Sequence, residues 1–262
     1  MVELDCGPET RYQPTVAMLD ALDTPPAGLI VASPANPTGT MIEPAELAAL
    51  ARWCDEHGAL LISDEIYHGI EFATPGTPAT STAWSTSRES AVVGSVSKYF
   101  SMTGWRLGWI LVPQSLQRPL QRLASNMTVC PPSISQYAAI EHSVPRRAPN
   151  STGTSRVTPR TETCCCGDCW RWASRSSPPA DGAFYVYADV AHLLRPGETS
   201  TAWCSRLLHD TGVALAPGID FDTVRGGDET VRLSFAGGDR RHRVRPRAPG
   251  RLVALVPTAR RA

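Results

Sequence analysis

One lysine, Lys98, stands in a chain of 262 residues whose other 24 basic side chains are all arginine, Lys and Arg together numbering 25. It lies in GSVSKYFSMTGWRLGWI, Gly94 to Ile110, eight residues before Arg106. Lysine readily sheds its proton and attacks a carbonyl as an amine, whereas arginine stays charged. Lys98 therefore reads either as a covalent amine or as a surface cation left by chance in an arginine-rich composition. Its companions in nearby motifs are Asn36 in SPANPTG, Asp64 and Tyr67 in SDEIYHG, and Ser95 and Arg106 in its own stretch. A carboxylate, a phenol, an amide, a hydroxyl and a guanidinium in motifs near one amine could line a ligand site. Glycines at 104 and 108 would let backbone approach it closely. Each residue has a plainer reading alone: Asp64 as a cap or surface acid, Asn36 as a turn residue before Pro37, Tyr67 as a core aromatic, Arg106 as a surface cation.

The elements that must position these residues are legible from periodicity. AGLIVASPANPTGT is an apolar run entering a Pro/Asn/Gly turn, as a buried strand would. PAELAALARWCDEHG reads as a helix with Pro44 in its first turn, Leu47, Leu50, Ala51 and Cys54 on one face, and Gly58 at its end. ALLISDEIY, AVVGSVSK (Ala91–Lys98) and RLGWILV (Arg106–Val112) are three further strands. SLQRPLQRLASNM is helical if Pro119 falls in the first turn. Later, GAFYVYADV and TVRLSFA read as strands around a helix in STAWCSRLLHDTG, the second strand carrying Arg232. Apolar strands alternating with a helix predict an α/β fold with a mostly parallel sheet. The second group predicts a smaller C-terminal α+β domain. In such sheets ligands bind beyond the carboxyl ends of the strands, which is where Asn36, Asp64, Tyr67, Ser95 and Lys98 fall.

SPANPTG, SDEIYHG, SVSKYFSMTGWRLGW and VRLSF, in this order, resemble the class I/II (fold-type I) aminotransferases that use pyridoxal 5′-phosphate (PLP), with the aspartate-aminotransferase-like members most similar. The resemblance covers Val2 to about Glu141 and Asp181 to about Gly237. It implies that Lys98 anchors PLP covalently and shuttles a proton, and that Asp64 pairs with the pyridine nitrogen. It further implies that Asn36 and Tyr67 bond the phenolic oxygen and that Ser95 and Arg106 join the phosphate cup. Arg232 would clamp the substrate carboxylate; on residue type alone it reads as a solvated strand arginine. The implied activity is transfer of an amino group between an amino acid and a 2-oxo acid, in a homodimer. A β-lyase, a decarboxylase or an inactive remnant remain the alternatives.

The resemblance also predicts departures. Family members are longer, and the loop that binds phosphate at a helix N-terminus, the ring-stacking aromatic and the tyrosine from a neighbouring subunit have no counterpart here. Residues 1–141 are expected to form a partial PLP-binding domain and 181–237 a partial small domain. Residues 142–180 and the basic tail 238–262 read as out-of-frame translation in a truncated gene product. Within the first of these, CCCGDC offers four thiols, but three adjacent cysteines cannot easily aim at one tetrahedral centre, so no metal is expected. The tail lacks the interleaved aromatics of a nucleic-acid binder and reads as solvated. Zero formal net charge and a hydrophobic fraction of 42% fit a globular chain. No apolar run reaches the roughly 18 residues of a membrane span. The opening MVELDCGPETRYQP has no apolar leader core, so a cytoplasmic protein is expected.

Overall fold

The computed structural model describes residues 2–72, 76–143, 178–223 and 226–235. The cysteine cluster, most of 142–180 and the whole of 238–262 lie outside these residues.

Four strands make the first sheet: β1 (Gly28–Ala32), β2 (Leu60–Asp64), β3 (Ala91–Ser95) and β4 (Gly108–Leu111), in the order β1-β2-β3-β4. The first three run parallel, and β4 returns antiparallel to β3 with Ser95 opposite Gly108. The mostly parallel α/β architecture is thus as expected. At the shared carboxyl edge of β1, β2 and β3, Ala32 lies opposite Asp64 and Asp64 opposite Val93, with Ser95 two residues further along β3.

Helix α1 (Val16–Asp20) and helix α2 (Pro44–His57) cover one face of this sheet. Helix α2 has the predicted limits: proline at its first position and Gly58 closing it in the left-handed region at φ 66°. Its predicted face is buried, with Leu50 and Ala51 at 0% exposure, and Trp53 joins it. These side chains pack on Leu29 and Val31 of β1 and Leu61 of β2. Ile30, on the opposite face of β1, is 74% exposed.

Helix α3 (Gln114–Met127) and helix α4 (Ser133–Ser143) follow β4. Helix α3 corrects the expectation for Pro119, which sits in the second turn rather than the first. The missing N–H deprives the Ser115 carbonyl of its helical partner. Ser115 and Pro119 are both exposed, so water can reach that carbonyl.

The second sheet is antiparallel, in the order β5 (Tyr185–Asp189), β7 (Thr230–Ser234), β6 (Ala216–Pro217). Helix α5 (Ser200–Thr211) packs on it through Trp203 and Cys204. The Thr199 hydroxyl accepts the Ala202 N–H at its start, and Gly212 ends it at φ 76°. The two sheets are joined near the site. Gly39 accepts the N–H groups of Asp181 and Gly182, Ala183 donates to Ile70, and Glu71 bridges to Gly182.

Candidate active site

Three turns at the carboxyl edge of the first sheet carry the candidate residues. After β2 the chain turns at once, the Asp64 carboxylate accepting the Ile66 N–H at 3.2 Å. That turn drives Tyr67 inward, where it is 4% exposed. Gly69 completes it at φ 88°, so closely packed that an added Cβ would lie 2.4 Å from the Tyr99 ring. After β3, the Ser95 hydroxyl accepts the Ser97 N–H and leads the chain round to Lys98.

The Lys98 ammonium lies 5.3 Å from the centre of the Tyr67 ring and 5.7 Å from that of Phe184. It is close enough to Asp64 to lower that carboxyl's pKa, against a larger upward push from burial. Tyr67 in turn feels both Asp64 and Arg232. Burial raises its hydroxyl well above the ordinary phenol value, and a 2.7 Å hydrogen bond joins that hydroxyl to the Tyr185 hydroxyl. Arg232 comes from the middle of β7 and donates from Nη1 to the Asn36 amide oxygen at 2.7 Å. Its guanidinium is 4.6 Å from the ring centres of both Tyr185 and Phe221. Arg232 Nε is buried and has no hydrogen-bond partner.

Lys98, Asp64, Tyr67, Asn36 and Arg232 therefore form one cluster, drawn from both sheets. Ser95 and Arg106 stand apart from these contacts. The Ser95 hydroxyl donates to the Leu107 carbonyl at 3.3 Å. Arg106 is exposed, in the left-handed region at φ 51°, with Nη1 donating to the Thr103 carbonyl. Both nonetheless flank Lys98 at the same end of the β3–β4 pair.

Three aromatic residues of the cluster carried no sequence motif: Phe184, Tyr185 and Phe221. The alternation in GAFYVYADV marked a half-buried strand, but Tyr185 is known as a site residue only through its partners, Tyr67 and Arg232, 118 and 47 positions away. The two buried thiols of known position, Cys54 and Cys204, are each pushed up to about 11, mainly by burial, and so stay protonated and unreactive at neutral pH. Among the described residues no group of three or more His, Cys, Asp or Glu side chains is arranged to hold a metal ion.

An amine beside a carboxylate and a buried phenol, with a guanidinium one layer away, defines a site for an anionic substrate at the edge of an α/β sheet. The family model for aminotransferase class I and II matches residues 2–243. The chain belongs to that family. It is 52% identical over 237 residues to a valine–pyruvate aminotransferase of Mycobacterium tuberculosis, covering 90% of this chain and 60% of the relative. An aspartate aminotransferase of Bacillus subtilis is 31% identical, over 79% of this chain and 52% of the relative. Among solved structures, an aminotransferase from Mycobacterium tuberculosis superposes with a TM-score of 0.84 at 51% identity, covering 90% of this chain and 60% of that one. The Thermus thermophilus aspartate aminotransferase with maleate gives a TM-score of 0.80 at 28% identity, over 91% and 60%. The chain thus spans about three-fifths or less of the length of these proteins.

Proposed function

We propose that this chain carries the reacting half of a PLP-dependent aminotransferase, moving an amino group between an amino acid and a 2-oxo acid. The observation that carries the reading is the cluster of Lys98, Asp64 and Tyr67 with Arg232 beside it. The donor set fits PLP on its ring side. Asp64 offers a carboxylate to a protonated pyridine nitrogen, and Tyr67 with the Asn36 amide offers N–H and O–H donors to a phenolic oxygen. Ser95 and Arg106 would take the phosphate once the Arg106 guanidinium leaves the Thr103 carbonyl. The unpartnered Arg232 Nε supports a carboxylate ligand, since a buried donor without an acceptor costs about 1–3 kcal/mol.

When bound, PLP supplies an electron sink for the substrate's α-carbon. The protein's own residues do the rest. Lys98 would be the amine that holds the cofactor's aldehyde carbon; once displaced by the substrate's amine, it would be free to take the proton from the α-carbon and deliver it to that aldehyde carbon, two atoms away. Arg232 grips the α-carboxylate and so fixes which bond faces the ring. Asn36, bonded to Nη1, holds that guanidinium in place.

The 52% identical relative makes valine and pyruvate the first pair to assay. The same cofactor residues would serve a β-lyase or a decarboxylase, which that relative's name disfavours. The exposed apolar side chains of α3 and α4, Leu123, Met127, Ile134, Tyr137 and Ile140, support a homodimer. No described helix is long and apolar enough to cross a membrane, which is compatible with a cytoplasmic protein.

Titration of PLP into the purified chain, followed by absorbance, tests the reading. A saturating visible band that Lys98→Ala abolishes is the expected result, together with alanine formed from valine and pyruvate. A chain with no spectral change at millimolar PLP would be an inactive remnant.

A further inference from the structure

We infer that Tyr185 is a positioning residue for both halves of the site, its hydroxyl orienting Tyr67 and its ring carrying Arg232. The inference rests on the proposed aminotransferase reading and adds to it a residue from the second sheet.

Tyr185 opens β5 and is 5% exposed. Its ring is 4.6 Å from the Arg232 guanidinium carbon, and its hydroxyl is 2.7 Å from that of Tyr67. The two phenol rings meet edge to face, with centres 5.6 Å apart. One side chain therefore touches the group facing the cofactor and the group facing the substrate. Phe221 touches the guanidinium at the same distance but has no hydroxyl to offer Tyr67.

The direction of the phenol–phenol bond decides what Tyr67 can do. A hydroxyl has one proton and two lone pairs. If Tyr67 spent its proton on Tyr185, none would remain for an acceptor in the site. With Tyr185 as donor, the Tyr67 proton is free to point at the phenolic oxygen of the cofactor, and the accepted bond strengthens the donated one. The Tyr185 ring meanwhile supplies a π face to Arg232, an attraction that rises as the pair is desolvated. Arg232 Nε, buried and unpartnered, is left as a donor for a carboxylate.

Two substitutions separate the roles. Tyr185→Phe keeps the ring and removes the hydroxyl. It should raise the pH midpoint of the bound cofactor's absorbance change by about half a pH unit, through loss of one hydrogen bond behind Tyr67. It should leave the affinity for isovalerate, an unreactive carboxylate, within twofold. Tyr185→Leu removes both features and should weaken isovalerate by about three- to tenfold as well. Phe221→Leu should weaken isovalerate without moving the pH midpoint. Isovalerate binding is read by thermal shift on the chain without PLP, so that it does not depend on cofactor loading. A protein that merely packed better with tyrosine would lose thermal stability in both variants, with pH midpoint and affinity unchanged; that result overturns the inference. So does a Tyr185→Phe variant that weakens isovalerate as much as Tyr185→Leu. If the unsubstituted chain gives no cofactor band, the functional reading fails and the hydroxyl role falls with it. The ring role then stands or falls on the isovalerate comparison alone.

Discussion

One guanidinium nitrogen of Arg11 donates to both carboxylate oxygens of Asp181, at 2.7 and 2.6 Å. The pair spans 170 positions and fastens the first segment of the chain to the strand approach of the second sheet. Asp181 has only 4% of its side chain exposed and also accepts the Met41 N–H at 2.9 Å. Arg11 is more open, at 36%. Breaking a pair by removing one partner leaves the other charge poorly solvated, and here the acid is the deeper member.

Arg11→Ala should therefore destabilise the fold by about 2–4 kcal/mol, the cost of stranding the Asp181 carboxylate. Asp181→Asn should cost less, because an amide oxygen can still accept from Met41 while the freed arginine reaches water. Urea unfolding followed by tryptophan fluorescence measures both. Equal losses would mean that the ion pair is held together by its surroundings and contributes little itself.

Burial raises the Asp64 pKa above its ordinary value, while Lys98 and the Ile66 N–H pull the other way. A carboxyl raised in the folded state favours folding only while protonated. The associated stability is full below the unfolded value and fades as pH rises through the folded one. Asp64→Asn should thus raise the melting temperature of the PLP-free chain at pH 7, and the gain should vanish as pH falls towards 4. In a Lys98→Ala background the gain should be larger, since the compensating charge is gone. Melting curves across that range are the check; a gain that is flat with pH would mean that burial does not govern this carboxyl.

Gly58 and Gly69 both adopt positive φ, 66° and 88°, but only one is crowded. A Cβ on Gly58 meets nothing within 4 Å, whereas one on Gly69 would sit 2.4 Å from the Tyr99 ring. Gly58→Ala should cost about 1 kcal/mol of backbone strain alone. Gly69→Ala adds displacement of Tyr99 beside the Tyr67 turn and should cost about 2–3 kcal/mol. The same substitution should weaken PLP binding, which Gly58→Ala should leave unchanged. Similar losses in both variants would show that Tyr99 yields freely.

How much of this was legible in the sequence follows from what each element packs against. Helix α2 was readable to the residue because its apolar period, its proline start and its glycine stop agree, and because its face is buried on β1 and β2. Lys98, Asp64 and Asn36 were readable because turn chemistry sets them at strand ends. Helix α4 gave no clear periodic signal, since its apolar residues are not gathered on one side. The strand RLGWILV was expected from Arg106, but it pairs only from Gly108 and is exposed along its length. The pairing of Tyr185 with Tyr67 and Arg232 depends on how the two sheets meet, which no local pattern encodes.

Helix α3 buries none of its side chains against the described residues. Leu116, Leu120, Leu123 and Met127 nevertheless recur at helical spacing along one side, with Leu123 at 53% exposure and Met127 at 73%. On β4, Trp109 and Ile110 are likewise 46% and 47% exposed. An exposed apolar stripe of this kind drives association in water. The purified chain should sediment as a dimer or larger at tens of micromolar, and Leu123→Glu with Met127→Glu should shift it towards the monomer. Because both positions are solvent-facing within one chain, the monomer's own stability should change by no more than about 0.5 kcal/mol. A loss of about 2–5 kcal/mol, as for truncation of a buried leucine, would instead place these side chains in a core that the chain forms by itself.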